Sequence, residues 1–130
     1  LRKKQRPLRA ELCEEAEFTL DSGYWAADRL LARGEELDGI FCATDTIAVG
    51  AMTRIKELGR KIPEDISLVG TGDTLLGRVV EPRLTTVHFY YKTSGMEAAS
   101  MLVDRLESKS YTRKELKMGY EVIRKESTRG

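Results

Sequence analysis

The sequence predicts an α/β fold with a mainly parallel sheet, and two observations lead to this prediction. Short apolar runs alternate with segments of helical periodicity, in the order β-α-β-α-β-(short)-β-α-β. The stretch from 39 to 73 shows the alternation most clearly, because it reads as strand, helix, turn and strand. Two buried strands joined by a helix are parallel, since the helical crossover returns the chain in the same direction.

Each boundary of this central unit has a chemical reason. Residues 39–43 form a short apolar run that fits a buried strand, and apolar residues recur at helical spacing from Ile47 onward. Gly59 stands where a helix needs a left-handed C-terminal residue, and Pro63 resists continuation of the helix. Residues 66–69 supply the second apolar strand.

The flanking segments continue the alternation. Residues 11–18 are expected to form a strand with an acidic side near the sheet edge, and Asp21 and Ser22 are expected to cap the next helix. Residues 84–89 and 118–124 read as further strands. Between these two strands lies a predicted helix whose inner face carries Met96, Ala99, Leu102, Val103 and Leu106.

Composition limits the classes of protein to which the chain can belong. Its 130 residues suit one domain or part of one, and 41% apolar residues suffice for a core. Twenty-two basic and 21 acidic residues give a net charge of +1, so charge offers no reason to expect nucleic-acid binding by this chain. No apolar run approaches the roughly 20 residues of a membrane helix. The basic segment 1–9 reads as the tail of a helix, so we interpret the chain as part of a longer protein.

Residues that carry metal or nucleophilic chemistry are few. Cys13 and Cys42 lack the spacing of a zinc motif and are expected to be buried free thiols. His88 is the single histidine, and no Ser-His-Asp or Cys-His constellation is visible. We therefore expect no metal, no cofactor and no enzymatic activity.

Several stretches together resemble one protein family. They are FTLDSGYWAADRLLAR, GIFCATDTIAVGAM, ELGRKIPEDISLVG, PRLTTV, SGMEAA and RKEST, and they occur in the order and at the spacing of the effector-binding core of LacI/GalR transcriptional regulators. The resemblance covers nearly all of residues 16–128. It implies a periplasmic-binding-protein-like (type I) core of two α/β lobes with a sugar-sized cleft between them.

The resemblance also implies how the chain is divided. Residues 1–130 resemble the C-terminal part of that core, with 1–87 mainly the C-terminal lobe. Residues 88–114 resemble the crossing strand and a helix that packs on the other lobe, and 115–130 resemble the return strand and tail. The resemblance implies that three parts of such regulators are absent from this sequence: the first half of the other lobe, the N-terminal helix-turn-helix, and the start of this lobe, where the family usually carries an effector-contacting Arg.

Three predicted ligand-binding residues come from the first two strand ends. Phe18 matches a family position where an aromatic ring stacks on the effector, although a core position is the alternative. Thr44 and Asp45 match an Asn-Asp pair at the cleft floor, where the first residue bonds the ligand. A threonine hydroxyl offers fewer hydrogen bonds than an asparagine amide. For Asp45, a structural N-cap and a direct ligand contact both remain open.

The other three follow the later strands. The family usually carries two successive Asp residues here, and the first of them hydrogen-bonds sugar hydroxyls. In this sequence the first position is Gly72, and only the second Asp is present, as Asp73. The change is expected to alter which effector fits, to admit a larger ligand such as a disaccharide, or to leave Asp73 as the gripping carboxylate. Of Tyr90 and Tyr91 on the crossing strand, Tyr91 is the one expected to face the cleft.

The function implied by the resemblance is effector sensing by a dimeric transcriptional repressor. The family's dimer interface maps onto Val49, Met52, Leu75, Leu76 and Val80, although burial of some of these residues in the core is the alternative. The expected partners are a sugar effector, a second copy of the protein and, through the helix-turn-helix, operator DNA in the bacterial cytoplasm. Candidate effectors are disaccharides such as sucrose or maltose. The alternative is a periplasmic sugar-binding protein that feeds a transporter.

Overall fold

The computed structural model describes residues 9–108 and 112–129, so the predicted helix tail at 1–9 lies almost wholly outside the described residues. After a short 3₁₀ helix at Ala10–Leu12, the elements are α1 (Leu20–Ala32), β1 (Gly39–Phe41), α2 (Asp45–Glu57), β2 (Ser67–Thr71), α3 (Leu75–Val79), β3 (Thr85–Phe89), α4 (Tyr91–Ser108) and β4 (Tyr120–Ile123). None of the helices in this described part is both long and apolar enough to cross a membrane.

The sheet has the order β1-β2-β3-β4, and its parallel part confirms the expected fold class. β1, β2 and β3 pair in parallel, whereas β4 returns antiparallel to β3. Gly59 ends the turn after α2 with φ +73°, as the sequence predicted. The carboxyl ends of the three parallel strands therefore meet at one edge of the sheet, where open α/β sheets bind ligands.

Three sequence predictions about local structure are wrong. Residues 11–18 form the 3₁₀ helix and an extended segment, but they pair with no strand in the described residues. Tyr91 begins α4 rather than continuing the strand, because β3 ends at Phe89. The cap of α1 is Thr19, whose hydroxyl accepts a hydrogen bond from the Ser22 N–H at 3.1 Å, so Asp21 and Ser22 lie inside the helix.

The core lies between β1–β3 and the inner face of α2. Its fully buried side chains include Ile55, Ile66, Leu68 and Leu84, and each such burial stabilises the fold by about 1.5–3 kcal/mol. Cys42 joins this core, where desolvation raises the pKa of its thiol to about 12, whereas Cys13 is exposed and the prediction of its burial is wrong.

The C-terminal tail holds the amino-terminal ends of β2 and β3 together. Ser127 is fully buried, and its hydroxyl accepts from the Thr85 N–H at 2.8 Å and donates to the Leu68 carbonyl at 2.6 Å. The Leu68 N–H in turn donates to the Ser127 carbonyl. The sequence indicated only a polar tail, so this contact is decided by the tertiary structure.

α4 differs from the other long helices, because it has no buried residue. The apolar positions predicted for its inner face are exposed, with Met96 at 64% and Leu106 at 71%. The predicted association of this helix with another lobe is untested and stays a prediction.

Glycines set the distance between α1 and α2. A Cβ added at Gly50 would lie 2.0 Å from the Leu20 carbonyl oxygen, and one added at Gly23 would lie 2.3 Å from the Ile47 carbonyl oxygen. The two helix backbones therefore touch where both side chains are missing. This close crossing fixes the start of α1 against the start of α2.

Replacing Gly50 with alanine tests this crossing. We expect Gly50→Ala to lower the free energy of unfolding by about 1–3 kcal/mol or more, because rigid backbone atoms must separate. Gly95→Ala in α4 is the matched control, since nothing lies within 4 Å of its added Cβ. Gly95→Ala should be neutral or stabilising by up to about 1 kcal/mol. Urea unfolding followed by Trp25 fluorescence measures both, and equal effects would contradict the role of Gly50.

Candidate functional site

The candidate site is the sheet edge at the carboxyl ends of β1, β2 and β3. Three connections begin there: the residues before α2, the loop between β2 and α3, and the step from β3 into α4. Asp45 joins all three strands at this edge. Its Oδ1 accepts from the Thr86 hydroxyl at 2.5 Å, and its Oδ2 accepts from the Thr74 N–H at 2.7 Å and from the Thr74 hydroxyl at 3.1 Å.

Asp45 is a buried anchor, with no exposed surface. Backbone packs against it closely, since a Cβ added at Gly70 would lie 2.4 Å from its Oδ1 and one at Gly77 would lie 3.3 Å from its Oδ2. The N-cap of α2 is Thr44 instead, whose hydroxyl oxygen accepts from the Ile47 N–H at 3.2 Å. In this bond the Thr44 hydroxyl acts only as an acceptor, so it can still donate its hydrogen to another partner.

Asp73 sits in a cationic cluster. Its carboxylate accepts from Arg78 at 3.2 and 2.5 Å and from the Lys125 ammonium at 3.3 Å, while the His88 Nδ1 lies 3.4 Å away. The pKa of Asp73 lies below its usual value. Hydrogen bonds from Arg78 lower it most and the hydrogen bond from Lys125 lowers it further, whereas burial of the carboxylate acts in the opposite direction. The Asp73 side chain is only 6% exposed, so a ligand that bonds it must share it with these cations.

Gly72 and Tyr91 meet at the same edge. Gly72 has φ +125°, a conformation that side chains rarely adopt, so the glycine is required by the loop backbone as it stands. A Cβ added there would lie 3.9 Å from the Asp45 Oδ2 and 4.0 Å from the Tyr91 hydroxyl oxygen. The Tyr91 phenol thus reaches the neighbourhood of Gly72, although Tyr91 is 62% exposed.

Phe18 lies just ahead of α1 and is 74% exposed, so it is not a core residue of this structure. The crossing of α1 with α2 puts the first turn of α1 beside the first half of α2, where Leu20 meets Gly50. Within the described part, no hydrogen bond or aromatic ring contact joins Phe18 to the other predicted ligand residues. Its stacking role, like the ligand roles of the other five residues, stays a prediction.

The predicted dimer residues divide into two groups. Val49 and Met52 are buried within the chain, at 9% and 3% exposure, and Met52 belongs to the hydrophobic core. Leu75 is 75% exposed on α3, whereas Leu76 and Val80 are half-buried. The free apolar surface of this group is therefore on α3.

Sequence reasoning missed the partners of the two carboxylates. Thr74 and Thr86 bind Asp45, and Arg78 and Lys125 bind Asp73. Their separations of up to 52 residues along the chain leave no local pattern. A weak signal did exist for Thr86, because a threonine inside a predicted buried strand needs a hydrogen-bond partner.

Replacing Asp45 with asparagine tests the anchor. An amide nitrogen cannot accept a hydrogen bond, so one of the donors from Thr74 or Thr86 loses its acceptor. We expect Asp45→Asn to lower the free energy of unfolding by about 1–3 kcal/mol. Asp104→Asn, on the exposed face of α4, is the control and should change it by less than about 0.5 kcal/mol. Urea unfolding compares the two variants, and a similar small effect for both would refute the anchor role.

The cluster around Asp73 predicts a pH-dependent contribution to stability. Because the folded-state pKa is lowered, the contribution is fully present above the unfolded pKa of about 4 and is lost as the pH falls through the folded pKa. The stability difference between the parent and Asp73→Asn should therefore be largest near pH 7 and shrink below about pH 4. Thermal unfolding of both proteins from pH 3 to pH 7 measures this stability difference.

Glu126→Gln provides the matched control for that series. Arg83 lowers the pKa of Glu126 in the same sense, but this pair is much more exposed. The Arg83–Glu126 pair should contribute less to the free energy of unfolding across the whole pH range, because solvent screens exposed ion pairs. A parent-to-Asp73→Asn difference that does not change with pH would show that the cluster is not formed.

Comparisons with known proteins agree on the kind of domain. A family model described as a periplasmic binding protein-like domain matches residues 1–128. The HTH-type transcriptional repressor PurR of Vibrio cholerae is 32% identical over 115 residues, which is 88% of this chain and 34% of the relative. The chain thus spans about a third of the length of the curated relatives it matches.

Solved structures show the same relationship. A complex of the transcriptional regulator CelR with cellobiose superposes with a TM-score of 0.90 at 30% identity, covering 96% of this chain and 38% of that one. A LacI family regulator from Enterococcus faecium with bound ribose superposes with a TM-score of 0.75 at 26% identity, covering 87% and 41%. The chain therefore belongs to the periplasmic binding protein-like family, as part of an effector-binding domain of the LacI/GalR transcriptional regulators.

Proposed function

We propose that this chain is the sugar-sensing and dimerisation part of a cytoplasmic transcriptional repressor of carbohydrate utilisation. The observation that carries the proposal is the shared sheet edge, where loops from three parallel strands converge in a chain of this family. Ligands of open α/β sheets bind at such edges. Operator DNA would be bound by a helix-turn-helix outside these residues.

The chemistry of the edge supports a neutral, hydroxyl-rich effector. Both carboxylates, Asp45 and Asp73, already bind donors of this chain. Among the six predicted ligand-binding residues, those that keep a group for a ligand are Thr44, with its hydroxyl, and Phe18 and Tyr91, with their exposed rings. Aromatic faces suit the apolar C–H side of a sugar ring, and hydroxyl groups bond its polar edge.

The size of the effector is the finer part of the proposal. Gly72 stands where the family usually carries an Asp, and the loss of that side chain is the reason to propose a larger ligand such as a disaccharide. The related CelR structure is described as a cellobiose complex, which makes a disaccharide a reasonable first choice. Sucrose and maltose are further candidates, and a purine base is the ligand class that the proposal excludes.

Dimerisation is proposed to use the exposed side of α3. Leu75 and Val79 are 75% and 69% exposed there, and the half-buried Leu76 and Val80 lie beside them in sequence. A two-fold dimer suits a regulator that reads two symmetric half-sites of an operator. Binding of sugar would change the arrangement of the two subunits and hence the spacing of the DNA-binding parts.

The test is operator binding with and without candidate effectors, on the full-length protein. Fluorescence anisotropy with DNA from upstream of its own gene should give an affinity that cellobiose, sucrose or maltose shifts by about 5–150-fold. Sugar affinity must shift by the same factor when operator is present, because the coupling is reciprocal. Light scattering on the same samples should give the mass of a dimer.

A matched variant separates the sugar site from the DNA site. Phe18→Ala should weaken the response to sugar and leave operator affinity without sugar unchanged, because Phe18 is exposed and absent from the core. A response to hypoxanthine but to no sugar would overturn the effector class. If no small molecule changes operator affinity, the sensing role itself fails.

A further inference from the structure

The Asp45 carboxylate at the sheet edge is already occupied by donors of its own chain. An ionised carboxylate has about four lone-pair positions that can accept hydrogen bonds. Asp45 uses three of them, for the Thr74 N–H, the Thr74 hydroxyl and the Thr86 hydroxyl. Because Asp45 has no exposed surface, a ligand does not reach the position that remains.

The Asp73 carboxylate is in a similar state. It accepts two hydrogen bonds from the Arg78 guanidinium and one from the Lys125 ammonium. The His88 Nδ1 lies 3.4 Å from its Oδ2, and the Asp73 side chain is only 6% exposed. Neither of the two carboxylates is therefore free to accept a hydrogen bond from a ligand.

The Tyr91 hydroxyl remains available at the same edge. Within residues 9–108 and 112–129, no hydrogen bond engages this hydroxyl. It lies 4.0 Å from the position that a Cβ at Gly72 would occupy. The Phe89 ring packs against the phenol at an angle of 66°, with the ring centroids 5.9 Å apart, which is the edge-to-face arrangement that aromatic pairs prefer. The hydroxyl hydrogen of Tyr91 is therefore free beside the bare backbone of Gly72.

A free phenol and a free carboxylate select different ligand atoms. A carboxylate only accepts hydrogen bonds, so it requires a ligand group that carries a hydrogen, whereas a phenol can also donate. An ether oxygen of a sugar carries no hydrogen and can only accept. The hydroxyl groups of Thr44 and Tyr91 both have a hydrogen to donate, so this edge is matched to an ether oxygen.

The bond between the two rings of a disaccharide contains such an oxygen. This step rests on the function proposed above, in which the missing side chain at Gly72 is the reason for a second sugar ring. The bond that joins the two rings then lies beside Gly72, where Tyr91 offers its free donor.

We propose that the Tyr91 hydroxyl donates a hydrogen bond to the bridging glycosidic oxygen of the effector. Tyr91 is then a specificity-determining residue that recognises the linkage between two sugar rings. The neighbouring Tyr90 is a poor alternative, because its hydroxyl already bonds the Glu121 carboxylate at 3.5 Å. The cations Arg78 and Lys125 are poor alternatives as well, since both bind Asp73.

Calorimetric titration of the full-length protein tests this contact. The probes are cellobiose, maltose and sucrose, each compared with its analogue in which sulfur replaces the bridging oxygen, because a thioether sulfur is only a weak acceptor. In the parent protein, the oxygen-bridged sugar that binds should bind more tightly than its sulfur analogue. Tyr91→Phe should reduce this affinity ratio by about 2–12-fold, which corresponds to the loss of one hydrogen bond.

Tyr90→Phe is the matched control for this comparison. It removes a hydroxyl from the adjacent tyrosine, and the affinity ratio should stay at the value of the parent. Both variants should unfold at the same urea concentration as the parent, because Tyr90 and Tyr91 are both exposed.

Failure of this contact and failure of the proposed function give different results. Equal changes in the affinities for both members of a sugar pair on Tyr91→Phe would overturn the contact with the glycosidic oxygen, while sugar sensing would stand. If glucose binds and none of the disaccharides does, this inference is overturned, and of the proposed function only the size of the effector fails. If no sugar binds, the proposed function fails, and this inference fails with it.

Discussion

The structure depends on the buried carboxylate of Asp45. A fully buried carboxylate is stable only when its oxygens are hydrogen-bonded, and Asp45 has three donors from Thr74 and Thr86. These donors tie the start of α2 to the loop after β2 and to the middle of β3. Gly70 and Gly77 lack side chains where the carboxylate packs. Asp45 therefore joins the start of α2 to the loop after β2 and to β3 at the sheet edge.

The same constraint determines which groups remain for recognition. Asp45 is engaged by threonines, and Asp73 is engaged by Arg78 and Lys125. Neither carboxylate is free, so the proposed effector would meet hydroxyl groups and aromatic rings. Gly72 then matters for a second reason: its backbone at φ +125° directs the loop so that the Tyr91 phenol lies nearby. The backbone and the ligand preference are therefore linked at this position.

Two apolar surfaces of the chain lack partners within the described residues. One is an apolar cavity beside β1, and the other is the exposed face of α4 that carries Met96 and Leu106. The first lies beside residues 11–18, which the sequence predicted to be a strand near the sheet edge, and the second lies on α4, whose helical periodicity predicted a buried face. Hydrophobic periodicity indicates that one face of an element is buried in the folded protein, but it does not indicate which part of the protein covers that face.

The sequence by itself determined the central elements and the family. Apolar runs fixed β1 and β2, Gly59 and Pro63 marked the end of α2, and the joint motifs identified the effector-binding domain. These features are local, so a pattern of a few residues suffices to predict them. Only the tertiary structure decided the role of Asp45, since the N-cap of α2 is Thr44 rather than Asp45, and the Asp45 carboxylate binds groups 29 and 41 residues away. It also decided that Val49 and Met52 are buried and that residues 11–18 pair with no strand among residues 9–108 and 112–129, because burial and strand pairing depend on segments far apart in the chain.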